Sequence, residues 1–284
     1  MKFFQWLPVF LSFTPLLALL PLLFLSKEKE RLHRMVAILG TLLPLIISFI
    51  VYSMTLQREL LLSHSIKWFT IPTLQIHFPL DGRIDGLSLP FILLTCLLSM
   101  IAVIASFWIK RKTKEYYTLL LALESVMLGV FTSSNLLQFF IFFELTIIFT
   151  FFLTGIWGFS NKERAANHFL LYNGIGSGFM LFAFVGLTMV FHSPDLNLIR
   201  DGLAQIMTQR GSLYAQITVL FWAIFVSLII AFAIKLPVFP FHSWMVKVHT
   251  EAPILVVIIH SGILLKMGAY GFIRFGVGLF PTYM

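Results

Sequence analysis

The chain has 284 residues, of which 59% are hydrophobic, 32 are phenylalanine and only 11% are charged. A soluble domain carries about a quarter charged residues, so this composition excludes one and predicts an all-α, polytopic transmembrane helical bundle. The formal net charge of +8 is assigned to topology and to the headgroups of the lipid bilayer, not to nucleic acid, because no basic-aromatic face accompanies it.

Apolar stretches of about 20 residues predict eight spans. They run Leu7 to Leu25, Met35 to Met54, Leu87 to Ile109, Tyr117 to Phe131, Leu136 to Trp157, Phe169 to Phe191, Gln216 to Phe241 and Ile254 to Phe275. The first carries Pro8, Pro15 and Pro21 and ends in Lys27-Glu28-Lys29-Glu30 rather than a small-residue cleavage site, so it is expected to stay as a span. Residues 55–85 lie outside the membrane. Alternation in Trp68-Phe69-Thr70-Ile71-Pro72 and Leu74-Gln75-Ile76-His77-Phe78 predicts a short hairpin there, closed near Asp81-Gly82. Cys96 stands alone in the third span, which leaves neither a disulfide framework nor a thiolate metal site. Residues 192–214 predict a short surface helix starting at Pro194 or Asp195.

The loops after spans 1, 3, 5 and 7 hold Lys27, Lys29, Arg31, Arg34, Lys110, Arg111, Lys112, Lys114, Lys162, Arg164 and Lys247. The opposite side holds Arg58, Lys67, Arg83, Arg200 and Arg210, which predicts an external N-terminus. No phosphate loop, zinc spacing or nucleophile motif occurs, so no catalytic, cofactor or metal residue is nominated and the chemistry is expected inside the bilayer.

Five ionisable residues fall within predicted spans: Glu124, Glu144, Lys235, His260 and Lys266. Membrane helices keep such groups where they face a bundle interior, a wet cavity or one another. Lys235 ends the apolar run Phe221 to Ile234 and is followed by Leu236-Pro237-Val238-Phe239-Pro240. Pro237 and Pro240 remove two backbone donors and break the helix, freeing carbonyls that can hold water beside a proton-carrying lysine; snorkelling is the structural alternative. Glu144, among phenylalanines, is the acid whose approach would switch that proton, against a purely hydrogen-bonding role. Lys266 lies about 20 Å along its helix from Pro253, too deep to snorkel easily, with Gly262 leaving space beneath it. His260 and Glu124 are candidate relays, each weighed equally against a satisfied structural group. His242, His249 and Glu251 fit no usual ligand helix, and Thr250-Glu251-Ala252-Pro253 reads as a helix start.

At these residues the chain resembles the antiporter-like membrane subunits of respiratory complex I, a family shared with multisubunit cation/proton antiporters, and within it the chain M or subunit 4 branch. The resemblance rests on Asp85-Gly86-Leu87-Ser88-Leu89, Phe142-Phe143-Glu144 and Gly155-Ile156-Trp157-Gly158. Its longest stretch runs from Lys235-Leu236-Pro237 through His242-Ser243-Trp244 and His249-Thr250-Glu251-Ala252-Pro253 to Leu264-Leu265-Lys266-Met267-Gly268-Ala269-Tyr270-Gly271. Many bacterial relatives carry a proline and an acid between the tryptophan and the histidine, where this chain has Met245-Val246-Lys247-Val248. That departure leaves the turn between spans 7 and 8 open.

The resemblance implies a proton half-channel in which Glu144 and Lys235 form an ion pair and Lys266 passes protons onward. It implies three N-terminal spans with the external hairpin (1–116), then one inverted five-helix repeat (117–284) with the second repeat missing. It further implies a non-redox subunit of a proton-pumping NADH:quinone oxidoreductase that needs no cofactor of its own. Its partners would be the other membrane subunits of complex I, in a bacterial plasma membrane rather than a mitochondrial inner membrane. The alternatives are the D or A component of an Mrp-type multisubunit Na+/H+ antiporter, and an inert or purely structural membrane fragment.

Overall fold

The computed structural model describes residues 6–57, 62–72, 76–209 and 212–281. Eight helical segments among them are long and apolar enough to cross a membrane: Leu7–Phe24, Glu30–Thr55, Ser88–Trp108, Thr113–Thr132, Leu136–Trp157, Lys162–Phe191, Thr218–Lys235 and Ile254–Val277. The chain is a multi-pass helical membrane protein, and each predicted span has its counterpart.

The first span is two helices, α1 (Leu7–Leu17) and α2 (Leu19–Phe24), interrupted at Ala18. Pro15 has no N–H for the Leu11 carbonyl, and the Thr14 hydroxyl donates to that carbonyl instead at 2.8 Å. Helix α3 (Glu30–Gln57) leads to the hairpin, β1 (Leu62–Ile71) paired antiparallel with β2 (Ile76–Ile84).

The hairpin closes between Ile71 and Ile76, not at Asp81-Gly82; part of that turn, residues 73–75, lies outside the described residues. Asp81 and Gly82 sit inside β2, opposite Ser65 and His64. Gly82 serves a close approach rather than a turn, since a Cβ there would lie 2.8 Å from the backbone nitrogen of Val9. Gln138 completes the edge of β2 beside it: its Oε1 accepts from the Asp81 amide at 2.8 Å and its Nε2 donates to the Asp81 carbonyl at 2.7 Å.

Helix α4 (Ser88–Ala105) begins with a reciprocal cap in which the Ser88 amide donates to Asp85 Oδ1 and the Asp85 amide to Ser88 Oγ, both at 3.0 Å. This local chemistry accounts for the Asp-Gly-Leu-Ser motif. Helix α5 (Thr113–Thr132) is the most enclosed span and packs against α1, α4 and α6 (Leu136–Trp157). Asn135 caps α6 by accepting from the Gln138 amide at 2.8 Å. Helix α7 (Lys162–Phe191) follows, then the predicted surface helix, α8 (Leu196–Gln209), capped by Asp195 through the amides of Asn197 and Leu198.

Helix α9 (Ser212–Lys235) stops at Lys235, six residues before the predicted end of span 7 at Phe241. Helix α10 (Ser243–Glu251) then runs unbroken through Met245–Val248, where this chain lacks a proline. Thr250 and Glu251 therefore close α10 instead of opening a helix, the Thr250 hydroxyl donating back to the carbonyls of Val246 and Lys247. The eighth span starts after Pro253 with α11 (Ile254–Ile259), widens into a π turn over His260–Leu264, resumes as α12 (Leu265–Gly271) and widens again over Phe272–Val277.

Candidate functional site at the broken seventh span

The break after Lys235 is built by Pro237 and Pro240, which donate no backbone hydrogen bond. The freed Ile234 carbonyl accepts from Trp244 Nε1 at 3.0 Å, which folds α10 back beneath the end of α9. Gly268 of α12 lets the eighth span close over this turn, since a Cβ there would lie 3.1 Å from the Leu236 amide nitrogen and 3.2 Å from Lys235 Cβ.

Lys235 is only 2% exposed, and its Nζ has no hydrogen-bond partner. The ammonium instead stands 4.5 Å from the centre of the Phe143 ring and 5.9 Å from that of Phe169. Glu144 follows Phe143 on α6, half-buried, with Oε1 unpaired. Ser177 of α7 faces it, its buried hydroxyl directed at the Glu144 carboxyl. Glu144 and Lys235 act on each other electrostatically, yet no ion pair within 4.0 Å joins them among the described residues. The pair implied by the resemblance is thus a facing arrangement rather than a contact, with an aromatic ring against the cation.

His260 is 1% exposed and lies in the π turn. Its Nδ1 is 2.9 Å from Nε2 of His249 on α10, and its ring meets Trp244 and Phe169 edge-on. Lys235 is within electrostatic reach. His249 is half-buried, and that burial holds its imidazole below the ordinary histidine range. Glu251, two residues on, accepts from the Asn161 amide at 2.8 Å.

Lys266 departs from expectation. Its side chain is exposed on the surface of this chain, and Nζ donates to the Ser261 carbonyl at 2.6 Å. The space predicted beneath it at Gly262 is filled, because Leu98 packs directly on that glycine. His260 and Lys266 are six positions apart, a spacing that does not share a helix face, so the two side chains leave the span in different directions. Glu124 also stays apart. It is fully buried on α5 with both carboxylate oxygens unpaired, beside Cys96 of α4, and Lys235 and Glu144 are not among the charges acting on it.

Sequence reasoning missed the Phe143 face, Ser177, the Trp244 clamp and the His249 partner. Phe143, Trp244 and His249 lie in the stretches that carry the resemblance, which give them no pairing, whereas Ser177 carries no signal without the three-dimensional packing. A second unforeseen link joins Asp85, before α4, to Arg274 near the end of the eighth span, with Nη1 to Oδ2 at 2.6 Å. Burial works to raise the Asp85 carboxyl, but Arg274, the Ser88 amide and Arg83 outweigh it and hold it below the usual carboxylate range.

Fold and site together define a polytopic helical membrane protein organised around a broken seventh span and a buried, unpaired lysine. Residues 133–283 match the family model described as NADH:quinone oxidoreductase/Mrp antiporter, TM, and the chain belongs to that family. It is 38% identical over 280 residues to NADH-quinone oxidoreductase subunit M of Rickettsia prowazekii, covering 95% of this chain and 53% of that protein. It is 33% identical over 283 residues to NAD(P)H-quinone oxidoreductase chain 4 2 of Thermosynechococcus vestitus, covering 98% of this chain and 50% of that protein. The chain thus spans about half the length of the curated relatives it matches. Among solved structures, one chain of respiratory complex I from Thermus thermophilus with bound NADH superposes with a TM-score of 0.75 at 24% identity, over 96% of this chain and 53% of that one. This structural likeness shows the shared fold.

Proposed function

We propose that this chain is a non-redox membrane subunit of a proton-pumping NADH:quinone oxidoreductase, providing a proton half-channel driven by electron transfer elsewhere in the complex. The observation that carries the reading is the Lys235 ammonium, 2% exposed and without a hydrogen-bond partner at a proline-broken span, with the Glu144 carboxylate in electrostatic reach. A charge in that position is stabilised by little except aromatic faces and one movable acid, so a small displacement of Glu144 changes how firmly the lysine holds its proton. On this reading Lys266, exposed on the surface of this chain, would hand protons to a neighbouring element.

On this reading residues 1–116 form the N-terminal spans with their hairpin and residues 117–284 the five-helix transport unit. Electron carriers and quinone belong to other subunits, the partners are the remaining membrane subunits, and the site of action is a bacterial plasma membrane. A member of an Mrp-type antiporter would share the half-channel. The quinone oxidoreductase names carried by the relatives favour the first reading.

The test is NADH-driven proton uptake in inverted membrane vesicles from a strain whose only copy is native or Lys235→Ala. Loss of uptake with the complex assembled and oxidising NADH supports the proposal. Undiminished uptake overturns it and leaves Lys235 as a structural lysine.

A further inference from the structure

We infer that Arg83, Arg200 and Arg274 form a binding site for a phosphate group, carried by an anionic lipid or free in solution, on the membrane face that bears the hairpin. The site stands apart from Lys235 and does not depend on the proton-transfer reading.

Three elements distant in sequence line one small cavity with guanidinium groups: Arg83 from the end of β2, Arg200 from α8 and Arg274 from the eighth span. The acid that pairs with them among the described residues is Asp85, whose Oδ2 is 2.6 Å from Arg274 Nη1 and 3.4 Å from Arg83 Nε. Three cations against one carboxylate leave two positive charges around the cavity, and like charges gathered there repel one another unless an anion joins them.

Donors are also left over. Arg83 gives Nη1 to Asn197 Oδ1 at 2.9 Å, but its Nε is buried outside hydrogen-bond geometry. Arg274 spends Nη1 on Asp85, while its Nε and Nη2 are buried with no hydrogen-bond partner, the Tyr270 ring lying alongside. The Arg200 side chain is exposed and makes no hydrogen bond or ion pair among the described residues. Buried donors without acceptors are costly, and the oxygens of a phosphate answer several guanidinium donors at once.

The cavity volume of about 170 Å³ is room for roughly five waters at about 30 Å³ each. That suits a phosphate group and falls short of the roughly 300–1,000 Å³ of a site for a larger organic ligand. Leu87, Leu196 and Ile273 complete the wall. Leu87 precedes the third span and Ile273, 44% exposed, stands near the end of the eighth. An acyl chain attached to the phosphate therefore meets apolar surface where the spans end.

The experiment uses the full chain, delipidated in detergent, as native, Arg200→Gln, Arg83→Gln and Arg164→Gln forms. Arg200 is exposed and untied, so its variant folds even where the Arg83 change does not, and Arg164, exposed at the start of α7 on the opposite face, controls for general charge attraction. The thermal unfolding midpoint is followed as phosphatidylglycerol, diacylglycerol or inorganic phosphate is added, each titration giving an apparent Kd. The expected result is a rise with phosphatidylglycerol whose apparent affinity falls about tenfold or more in Arg200→Gln and Arg83→Gln, and stays within about twofold of native in Arg164→Gln. A rise with phosphatidylglycerol alone assigns the site to a lipid headgroup, and an equal rise with inorganic phosphate assigns it to the free anion. No rise with either, an equal rise with diacylglycerol, or an affinity that Arg200→Gln changes no more than Arg164→Gln does, overturns the site.

Discussion

The tie between Asp85 and Arg274 spans 189 residues of sequence and holds the end of the eighth span against the start of α4. Their side chains are 13% and 11% exposed, Nη1 to Oδ2 is 2.6 Å, and Nε and Nη2 of Arg274 are already buried without partners. Asp85→Asn preserves the shape and the acceptor for the Ser88 amide but strands the guanidinium, a loss of about 3–5 kcal/mol for a broken buried pair. Arg274→Met leaves Asp85 with Arg83 at 3.4 Å and Ser88 at 3.0 Å, so its loss is that of one charged hydrogen bond, about 1.5–3 kcal/mol. The double variant should lose less than the sum, with a coupling of about 1.5–3 kcal/mol. Because the folded Asp85 carboxyl lies below its unfolded value, the stabilisation is fully present above the unfolded value of about 3.9 and is lost as pH falls through the folded one. Denaturant unfolding in detergent should therefore show no Asp85 contribution to pH dependence between about pH 5 and 8 and a fall below about pH 4 that Asp85→Asn lacks. A coupling within about 0.5 kcal/mol of zero, or parallel acid profiles for the two chains, would refute the reasoning.

Lys235→Met keeps the packed stem and removes an ammonium with no hydrogen-bond partner, so stability should stay within about 1 kcal/mol or rise while proton uptake is lost; a drop beyond about 3 kcal/mol in the unfolding assay would instead mark the lysine as a structural tie. Glu124→Met replaces a fully buried acid whose oxygens are both unpaired, and should leave NADH-driven uptake unchanged while raising stability by about 1–3 kcal/mol. Reduced uptake in an assembled Glu124→Met complex would return this residue to the relay. Gly271→Ala drives a Cβ into the Phe232 ring and should destabilise by about 1–3 kcal/mol. Gly174→Ala, which meets open space on α7, should be neutral or gain up to about 1 kcal/mol in the same measurement.

Spans are legible in a sequence like this one because twenty apolar residues in a row have few fates other than a buried or lipid-facing helix. The break after Lys235 was equally plain, since two prolines remove donors whatever surrounds them. What failed were inferences from local signals with two meanings. Asp81-Gly82 has the composition of a turn, but Gly82 is there to let Val9 approach, and the chain turns at Pro72 instead. Thr250-Glu251-Ala252-Pro253 has the composition of a helix start and marks a helix end, because the absence of a proline before Val248 lets α10 continue that far. The π turn at His260 has no composition of its own. Rise along the helix from Pro253 put Lys266 deep in the span, but depth does not say which face a side chain takes, and Lys266 faces out.

The two irregular segments converge on one buried cluster. The proline break ends α9 so that Lys235 stops beneath Phe143 and Phe169, and Trp244 returns from α10 to fasten the break at the Ile234 carbonyl. The π turn brings His260 against Trp244 and Phe169 from the other side, with His249 behind it. Lys235 and His260 are thus each set against aromatic faces, and the hydrogen bonds here are the Trp244 clamp and the contact between the two imidazoles. A fully paired lysine and glutamate would resist any change, since separating a contact pair in a low-dielectric setting costs several kcal/mol. A lysine resting on a ring, with its acid beyond contact distance, needs only a small movement of α6 or α9 to alter its surroundings. Both helices also present exposed apolar faces, with Ile141, Ile148 and Phe152 on α6 and Trp222, Val226 and Ile229 on α9.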